Sequence, residues 1–211
     1  MAFYGLCLAL VLAVQTCTVY GQEEIVKGSI TLVVDDSSLI PYGIHLLKDG
    51  VNTVFDVVLS SNASHIDDFV LVTFNKHVIL RTITKDRNEL QSALSAMQVY
   101  GKGQCLVSTL KGIEEGLSKS LPHSFLYVFT DSPAMDYSRF EQIKRIAQRD
   151  QSQVNIILPY KCGPAKHKGY QVYYKLAEAT NGKVFNLVED AVQDVLKYAM
   201  DTITGRKITG N

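Results

Sequence analysis

The sequence has no excess charge of either sign, because 21 Lys and Arg side chains balance 21 Asp and Glu side chains. A neutral chain gives no electrostatic reason to expect nucleic acid or an anionic membrane surface as its partner. The sequence also lacks internal repeats, low-complexity tracts and any stretch typical of an interdomain linker. Its 211 residues therefore indicate one domain rather than two.

Sequence signatures of catalysis are missing as well. The first predicted strand is not followed by Gly-x-Gly-x-x-Gly, there is no Gly-x-Ser-x-Gly, and Gly101-Lys102-Gly103 lacks the spacing of a phosphate-binding loop. The histidines stand singly, without metal-ligand spacing. A phosphotransferase with Asp35 as nucleophile would need a cation and a phosphate-binding lysine, and the sequence identifies no such lysine. We predict that the chain is not an enzyme.

No charged side chain occurs before Glu23, and residues 3–14 are almost continuously apolar. This pattern predicts a secretory signal peptide over residues 1–21, cleaved after Val19-Tyr20-Gly21 and followed by a polar lead over 22–28. An uncleaved anchor is the alternative, but about twelve apolar residues are few for crossing a bilayer. We expect a secreted, extracellular protein with no membrane span once the signal is removed.

Cysteine is scarce. Removal of the signal discards Cys7 and Cys17, which leaves Cys105 and Cys162. In an oxidising compartment two cysteines favour one disulfide, with two separate buried thiols as the alternative. Asn62-Ala63-Ser64 matches the acceptor sequence for N-glycosylation, which is relevant in a secreted chain. We therefore predict glycosylation at Asn62.

Strand and helix patterns alternate along the remaining chain, which predicts an α/β fold with a doubly wound, mostly parallel six-stranded sheet. One strand pair, joined by residues 75–77, is predicted to be antiparallel because its connection has the length of a hairpin. Strands are expected over 29–34, 69–74, 78–84, 124–130, 154–158 and 184–187. Helices are expected over 42–59, 86–97, 106–117, 137–149, 170–179 and 191–203. The domain would span 29–204 and a tail 205–211.

Two of the apolar strands end in a carboxylate with neighbouring hydroxyls, at Asp35-Asp36-Ser37-Ser38 and at Thr130-Asp131-Ser132. Because ligands of open α/β sheets bind at the carboxyl ends of strands, the two motifs can meet at one edge. Hard oxygen ligands of this kind suit Mg²⁺ or Ca²⁺. The alternative is that these residues cap the helices that follow them.

With this order of elements, the chain resembles a von Willebrand factor A domain, and more narrowly the A domains of hemicentin-like extracellular matrix proteins. The resemblance covers roughly residues 30–198. It lies in the Asp35 motif, Gly101–Cys105, Leu121–Asp131, Gln151–Ile156, Gly169–Tyr173 and Gly182–Leu187. It implies a secreted protein-binding module of extracellular matrix or cell adhesion, with an extracellular protein as ligand. The alternative is a soluble extracellular effector or carrier that binds its ligand without metal.

The resemblance also implies a metal-ion-dependent adhesion site, whose pattern is Asp-x-Ser-x-Ser, a Thr or Asp in the second loop, and an Asp after the fourth strand. Asp35, Ser37 and Asp131 match this pattern. Leu39 stands at the third position without an oxygen, and Gln104 falls on the second-loop position. We expect a degenerate site with at most weak binding of Mg²⁺ or Ca²⁺, although Asp36 or Ser38 could substitute after a small backbone shift.

Three tyrosines, Tyr170, Tyr173 and Tyr174, share one face of a predicted helix. Packing against the sheet is the favoured interpretation of this stripe, and an exposed binding surface is the alternative.

Overall fold

The computed structural model describes residues 26–37, 49–50, 52–53, 56, 58, 65–98, 105, 107–159, 161–164, 166–187 and 192–205. The predicted signal peptide, Leu39, Asn62 and Gln104 lie outside the described residues, as does most of the predicted tail. Within the described part of the chain, no helix is long and apolar enough to cross a membrane.

Six strands form one sheet. They are β1 (Gly28–Asp35), β2 (Ile66–Phe74), β3 (Val78–Thr84), β4 (Phe125–Phe129), β5 (Gln153–Leu158) and β6 (Val184–Asn186), arranged in the order β3-β2-β1-β4-β5-β6. All neighbours are parallel except β2 and β3, which pair antiparallel and place β3 at one edge. The predicted doubly wound sheet with one antiparallel edge strand is confirmed.

Five helices are bounded in the described residues: α1 (Arg87–Ser95), α2 (Thr109–Lys119), α3 (Phe140–Arg149), α4 (Lys168–Ala179) and α5 (Val192–Ile203). A short 3₁₀ turn, Tyr137–Arg139, leads into α3. The described residues between 49 and 58 are helical too, within the helix expected over 42–59.

Each face of the sheet is covered by its own apolar layer, because side chains alternate between the two faces along each strand. On one face, Val33, Leu126 and Ile156 pack with apolar residues of α2, α3 and α4. On the other face, Leu32 and Val34 pack with α1 and α5. Burial on both sides explains why β4 and the stretch of β2 from Phe69 to Phe74 are apolar almost without interruption.

Several element boundaries differ from the expectation, and two of the larger differences have a clear structural cause. The helix predicted from residue 106 begins at Thr109, because Val107 forms a parallel bridge with Ala134 and its carbonyl accepts a hydrogen bond from Met135 at 3.0 Å. The second strand begins at Ile66 rather than Phe69, because its first residues already pair with the start of β1. Polar residues at 67 and 68 hid this extension from the apolar pattern.

Candidate functional site

The carboxyl ends of β1 and β4 lie side by side, where the strand order of the sheet reverses. Val34 of β1 is paired with Phe129 of β4, so the residues that follow them, Asp35 and Thr130, are neighbours across the sheet. The hydroxyl of Thr130 donates a hydrogen bond to Asp35 Oδ2 at 2.8 Å. Asp131 follows directly. The topology therefore brings the two predicted carboxylate motifs together at one edge.

Asp35 is 1% exposed, and hydrogen bonds engage both of its carboxylate oxygens. Oδ1 accepts from the backbone N–H of Ser37 at 3.0 Å and from its hydroxyl at 2.6 Å, while Oδ2 accepts from Thr130. Burial raises the pKa of Asp35, the hydrogen bonds from Ser37 and Thr130 oppose that rise, and the charge of Asp131 adds to it. The last effect shows that the two carboxylates interact electrostatically.

Asp131 is also buried, at 4% exposed, and Oδ1 accepts a hydrogen bond from the hydroxyl of Ser132 at 2.7 Å. Its backbone carbonyl accepts from the N–H of Cys162 at 2.7 Å and from the hydroxyl of Tyr170 at 2.5 Å. The same phenol lies 2.9 Å from the carbonyl of Cys162. Tyr170 on α4 therefore holds the loop after β4 against the loop after β5.

Asp36 has partners away from Asp35. Its Oδ1 accepts from the side-chain amide of Asn75 at 2.5 Å, and its Oδ2 lies 3.3 Å from Arg81 Nη2. Arg81 is fixed in turn by a 2.8 Å hydrogen bond from its Nε to Thr73. Asp36 thus joins β1 to the β2–β3 hairpin. A shift of Asp36 into the position of a missing metal ligand would leave Arg81 without its carboxylate.

The segment around α2 is tied to the same edge by three devices. The side chain of Asp136 accepts hydrogen bonds from the N–H groups of Leu110 and Lys111, at 3.2 and 2.8 Å, in the first turn of α2. The hydroxyl of Tyr173 lies 2.7 Å from that of Thr109 and 2.8 Å from the carbonyl of Ser132. These contacts hold the start of α2 against the loop that follows β4.

The third device is the close approach of Cys105, ahead of α2, to Cys162, after β5. The Cα atoms of the two residues are 5.6 Å apart, which is within the usual range for a disulfide. Both cysteines lie at the carboxyl edge of the sheet, beside the loop that carries Asp131.

The donors at this edge are of the right chemical kind for a hard cation but few in number. Among the described residues no cluster of three or more His, Cys, Asp or Glu side chains could hold a metal. Two carboxylates, Asp35 and Asp131, and the hydroxyl of Ser37 are the matching ligands, whereas Ca²⁺ takes 6–8 oxygens. The described residues therefore fit a divalent cation only in part. Leu39 and Gln104, at the departing positions, lie outside this description.

Several contacts that build the edge were not predicted from the sequence. Tyr170 and Tyr173 are buried as the packing interpretation predicts, but their hydroxyls also brace the loops. Tyr174 is instead 42% exposed, so the three tyrosines do not share one role. The pairing of Asp36 with Arg81 spans 45 residues, and no local pattern announces it. Asp136 lies directly before the 3₁₀ turn, and no pattern in the sequence indicates that its side chain caps α2.

Comparison with known proteins places this architecture in a family. A family model described as a von Willebrand factor A domain matches residues 29–189. The chain therefore belongs to the von Willebrand factor A domain family. It is 32% identical to hemicentin-1 of Mus musculus over 189 residues, which is 88% of this chain and 3% of that protein. To hemicentin-2 of Mus musculus it is 33% identical over 161 residues, or 76% of this chain and 3% of that protein. The chain thus spans only a small part of the length of these relatives.

Solved structures share the fold. The von Willebrand factor A domain of SpRpn10 superposes with a TM-score of 0.59 at 16% identity, covering 88% of this chain and all of that one. Proximal thread matrix protein 1 from the mussel byssus, with a zinc-occupied metal-ion-dependent adhesion motif, gives a TM-score of 0.60 at 16% identity. That match covers 82% of this chain and 45% of the other. At such identities the likeness concerns the fold.

Proposed function

We propose that the mature chain is a secreted protein-binding module of extracellular matrix or cell adhesion, which binds its partner at the carboxyl edge of the sheet. The observation that carries this proposal is the bracing of that edge. The buried strand ends carrying Asp35 and Asp131 are held to the neighbouring loops by Tyr170 and Tyr173. A rigid edge of this kind keeps a binding surface in one shape and lowers the entropic cost of association.

The described edge also presents apolar side chains to solvent beside the buried carboxylates. Met135, in the loop that follows Asp131, is 43% exposed, and Tyr137, which begins the 3₁₀ turn after that loop, is 39% exposed. Aromatic and methionine side chains are enriched in protein interfaces. The similarity to hemicentins supports a role in the extracellular matrix, where a secreted chain would meet protein ligands.

The metal site of this module is proposed to be degenerate. The hydrogen bonds of Asp35 are already satisfied by the hydroxyls and the N–H group of the protein, so a cation would compete with Ser37 and Thr130 for its oxygens. Leu39 has no ligand atom, and Gln104 offers a neutral oxygen in place of an acid. When bound, a cation would supply a positive centre for a partner's carboxylate. Asp35, Ser37 and Asp131 would hold it weakly.

A second candidate function is that of a soluble extracellular effector or carrier. It shares the secreted location and the metal-free binding but lacks attachment to matrix. Sedimentation of the native protein with matrix supports adhesion, whereas recovery in the fluid fraction supports the effector. We also propose the 1–21 signal, glycosylation at Asn62, the Cys105–Cys162 disulfide and the absence of catalysis for the mature protein.

The test is a pull-down from extracellular extract with the chain from Gln22 as bait, with and without EDTA. We expect a captured protein that is retained in EDTA and lost on Met135→Ser with Tyr137→Ser. Leu121→Ser is the matched control, because Leu121 is 36% exposed but precedes β4, at the opposite edge of the sheet. Capture that is insensitive to the Met135 and Tyr137 changes, or no capture at all, contradicts the proposal.

A further inference from the structure

Overall neutrality conceals an uneven distribution of charge. From Gln151 to Ala177 the chain contains no Asp and no Glu, yet it contains four lysines and one histidine. These residues occupy the loop after β5 and the first part of α4. They are Lys161, Lys166, His167, Lys168 and Lys175, and the four lysines among them are here called the basic surface.

The four lysines lie on one side of the molecule. Lys168 and Lys175 are seven residues apart on α4, which is two helical turns, so they project from one face about 10 Å apart. Lys166 stands in the turn that leads into this helix. All three are exposed, and Lys161 is partly exposed. The exposed residues Gln171 and Tyr174 lie between Lys161 and the Lys168–Lys175 pair on the same helix.

Lys161 is anchored to α4 by aromatic rings. Its ammonium lies 5.7 Å from the ring centres of both Tyr170 and Tyr174 and 3.4 Å from the hydroxyl of Tyr174. Contacts with ring faces hold a cation in place without cancelling its charge. The positive charge at this end of the surface is therefore fixed in position and still available to an anion.

In the part of the chain that the structure describes, no ion pair neutralises the basic surface. Among the described residues the ion pairs of Lys and Arg lie elsewhere, and none involves the four lysines. The nearest acids along the chain are Asp150, which is paired with Arg149, and Glu178 near the end of α4. The amino end of α4 adds partial positive charge to the same region.

The chemistry of these side chains favours one kind of anion. Lysine is a compact point charge on a flexible stem and imposes no planar geometry on its partner, whereas arginine matches planar, bidentate carboxylate binding. The segment from Gln151 to Ala177 contains no arginine. Three of the four lysines lie within the eight residues 161–168, and Lys/Arg-rich stretches of about 5–8 residues are typical of surfaces that bind heparin or nucleic acid. Well-separated lysines on an exposed helix suit charges repeated along a polymer more than a single small anion.

We propose that the basic surface binds a sulfated polysaccharide of the heparin class. The inference adds a second ligand to the protein-binding module and does not depend on a metal or on the partner at the carboxyl edge. Lys166, Lys168 and Lys175 contribute exposed charges to successive sulfates. Lys161, held between Tyr170 and Tyr174, contributes the fixed charge.

Binding to immobilised heparin oligosaccharide at rising NaCl concentration is the test. The mature chain should be retained at physiological salt and released at higher salt, because exposed charges are screened over shorter distances as salt rises. The triple variant Lys166→Gln, Lys168→Gln, Lys175→Gln should lose affinity for heparin by about tenfold or more. A cluster of positive charges raises the local concentration of an anionic ligand by at least that factor. A control variant carries the same charge change at Lys76, Lys119 and Lys197, away from α4 and the loop before it.

Chemically desulfated heparin and poly-glutamate test binding to polymers that lack sulfate, and duplex DNA tests binding to a polymer of phosphates. The proposal expects the sulfated probe to bind most tightly. Failure of the wild-type chain to bind heparin would overturn it, and so would equal losses in the triple and control variants. Tighter binding to poly-glutamate or DNA would assign the surface to an acidic protein or a nucleic acid instead. Circular dichroism confirms that each variant is folded.

Discussion

At the scale of single residues, hydroxyl groups donate hydrogen bonds to the carboxylates of the carboxyl edge. In a metal site, the oxygens at these positions would face a cation instead. Ser37 and Thr130 direct their protons at Asp35, and Ser132 directs its proton at Asp131. Buried carboxylates are tolerated only when they are hydrogen-bonded or paired, and these hydroxyls supply the hydrogen bonds. The phenol of Tyr170 then fixes the backbone of Asp131.

Tyr170→Phe tests this phenol. Burial raises the pKa of Tyr170 to about 12, above the ordinary value of about 10. The folded state therefore holds the phenolic proton more tightly than the unfolded state, and the stability contributed by the hydroxyl is complete below pH 10. It is lost as the pH rises towards 12. We expect the free energy of unfolding of the variant to be lower by about 1 kcal/mol at pH 8. The loss is small because the carbonyl of Asp131 still accepts a hydrogen bond from the N–H of Cys162.

The measurement is the free energy of unfolding in urea at several pH values between 8 and 12. The difference between wild type and Tyr170→Phe should shrink as the pH rises. Tyr174→Phe is the control, because it removes a phenolic hydroxyl from an exposed side chain of the same helix. A difference that is constant with pH would show that the Tyr170 hydroxyl does not act through its proton.

Sequence patterns predicted Asp35, Ser37 and Asp131 as neighbours because strand ends and the topology of an open sheet are local and general features. The bracing residues were not predictable in the same way. Tyr173 and Thr109 are 64 residues apart, and their contact depends on where α4 places Tyr173 against the start of α2. The stripe of tyrosines identified the buried face of α4 but not the partners of its hydroxyls, because side-chain periodicity contains no information on distant loops.

At the scale of elements, α4 is pressed directly against the loop that follows β4. A Cβ atom added at Gly169 would lie 2.5 Å from both the backbone N and the carbonyl O of Ala134. No real Cβ approaches backbone so closely, so the first turn of α4 sits where only glycine fits. The His167 ring caps the same turn by accepting a hydrogen bond from the Gly169 N–H at 3.1 Å.

Gly169→Ala should therefore destabilise the protein by about 1–3 kcal/mol, the usual cost of overpacking. In an uncrowded helix the same change would stabilise by roughly 0.5–1 kcal/mol, so the sign of the effect is diagnostic. Urea unfolding measures it, with Gln171→Ala on the exposed face of α4 as the control. A stabilised Gly169→Ala variant would mean that α4 does not contact the loop as closely as described.

The proposed disulfide between Cys105 and Cys162 would join the segment before α2 to the loop after β5, across 57 residues of chain. Closing a loop of this length should contribute about 4 kcal/mol in the chain-entropy model. We expect Cys105→Ser with Cys162→Ser to lower the free energy of unfolding by an amount of this order. In native secreted protein, without reductant, neither thiol should react with iodoacetamide. Alkylation of both cysteines under those conditions would exclude the bridge.

The boundaries of the helices and strands were less predictable from the sequence than their order. The apolar pattern gave the strands and helices in their correct order, because burial on both faces of a sheet leaves a strong signal. The apolar pattern placed the start of β2 three residues too late, because the first residues of that strand are polar. It placed the start of α2 three residues too early. In both places a backbone pairing with a distant segment decided the boundary, at Gly28 and at Ala134.

At the scale of the whole molecule, the chain belongs to the von Willebrand factor A domain family, and we propose that its carboxyl edge keeps only part of the ligand set of a metal site. The fold places Asp35 and Asp131 where strand order reverses. Packing and the hydrogen bonds of hydroxyl groups hold the edge in place. We propose that this edge supports binding without relying on a tightly held cation.

Thermal unfolding in 1 mM Mg²⁺ or Ca²⁺ against EDTA tests that claim most directly. Stabilisation by a ligand follows RT ln(1 + [L]/Kd), so weak binding predicts a negligible change in Tm for the wild-type chain. Leu39→Ser with Gln104→Asp returns one hydroxyl and one carboxylate. At a hundredfold excess over Kd this variant should gain about 2.7 kcal/mol, or roughly 5–10 °C in Tm. Adding Asp131→Ala to it should abolish the gain. A large metal-dependent shift in the wild-type chain, removed by Asp131→Ala, would contradict the account.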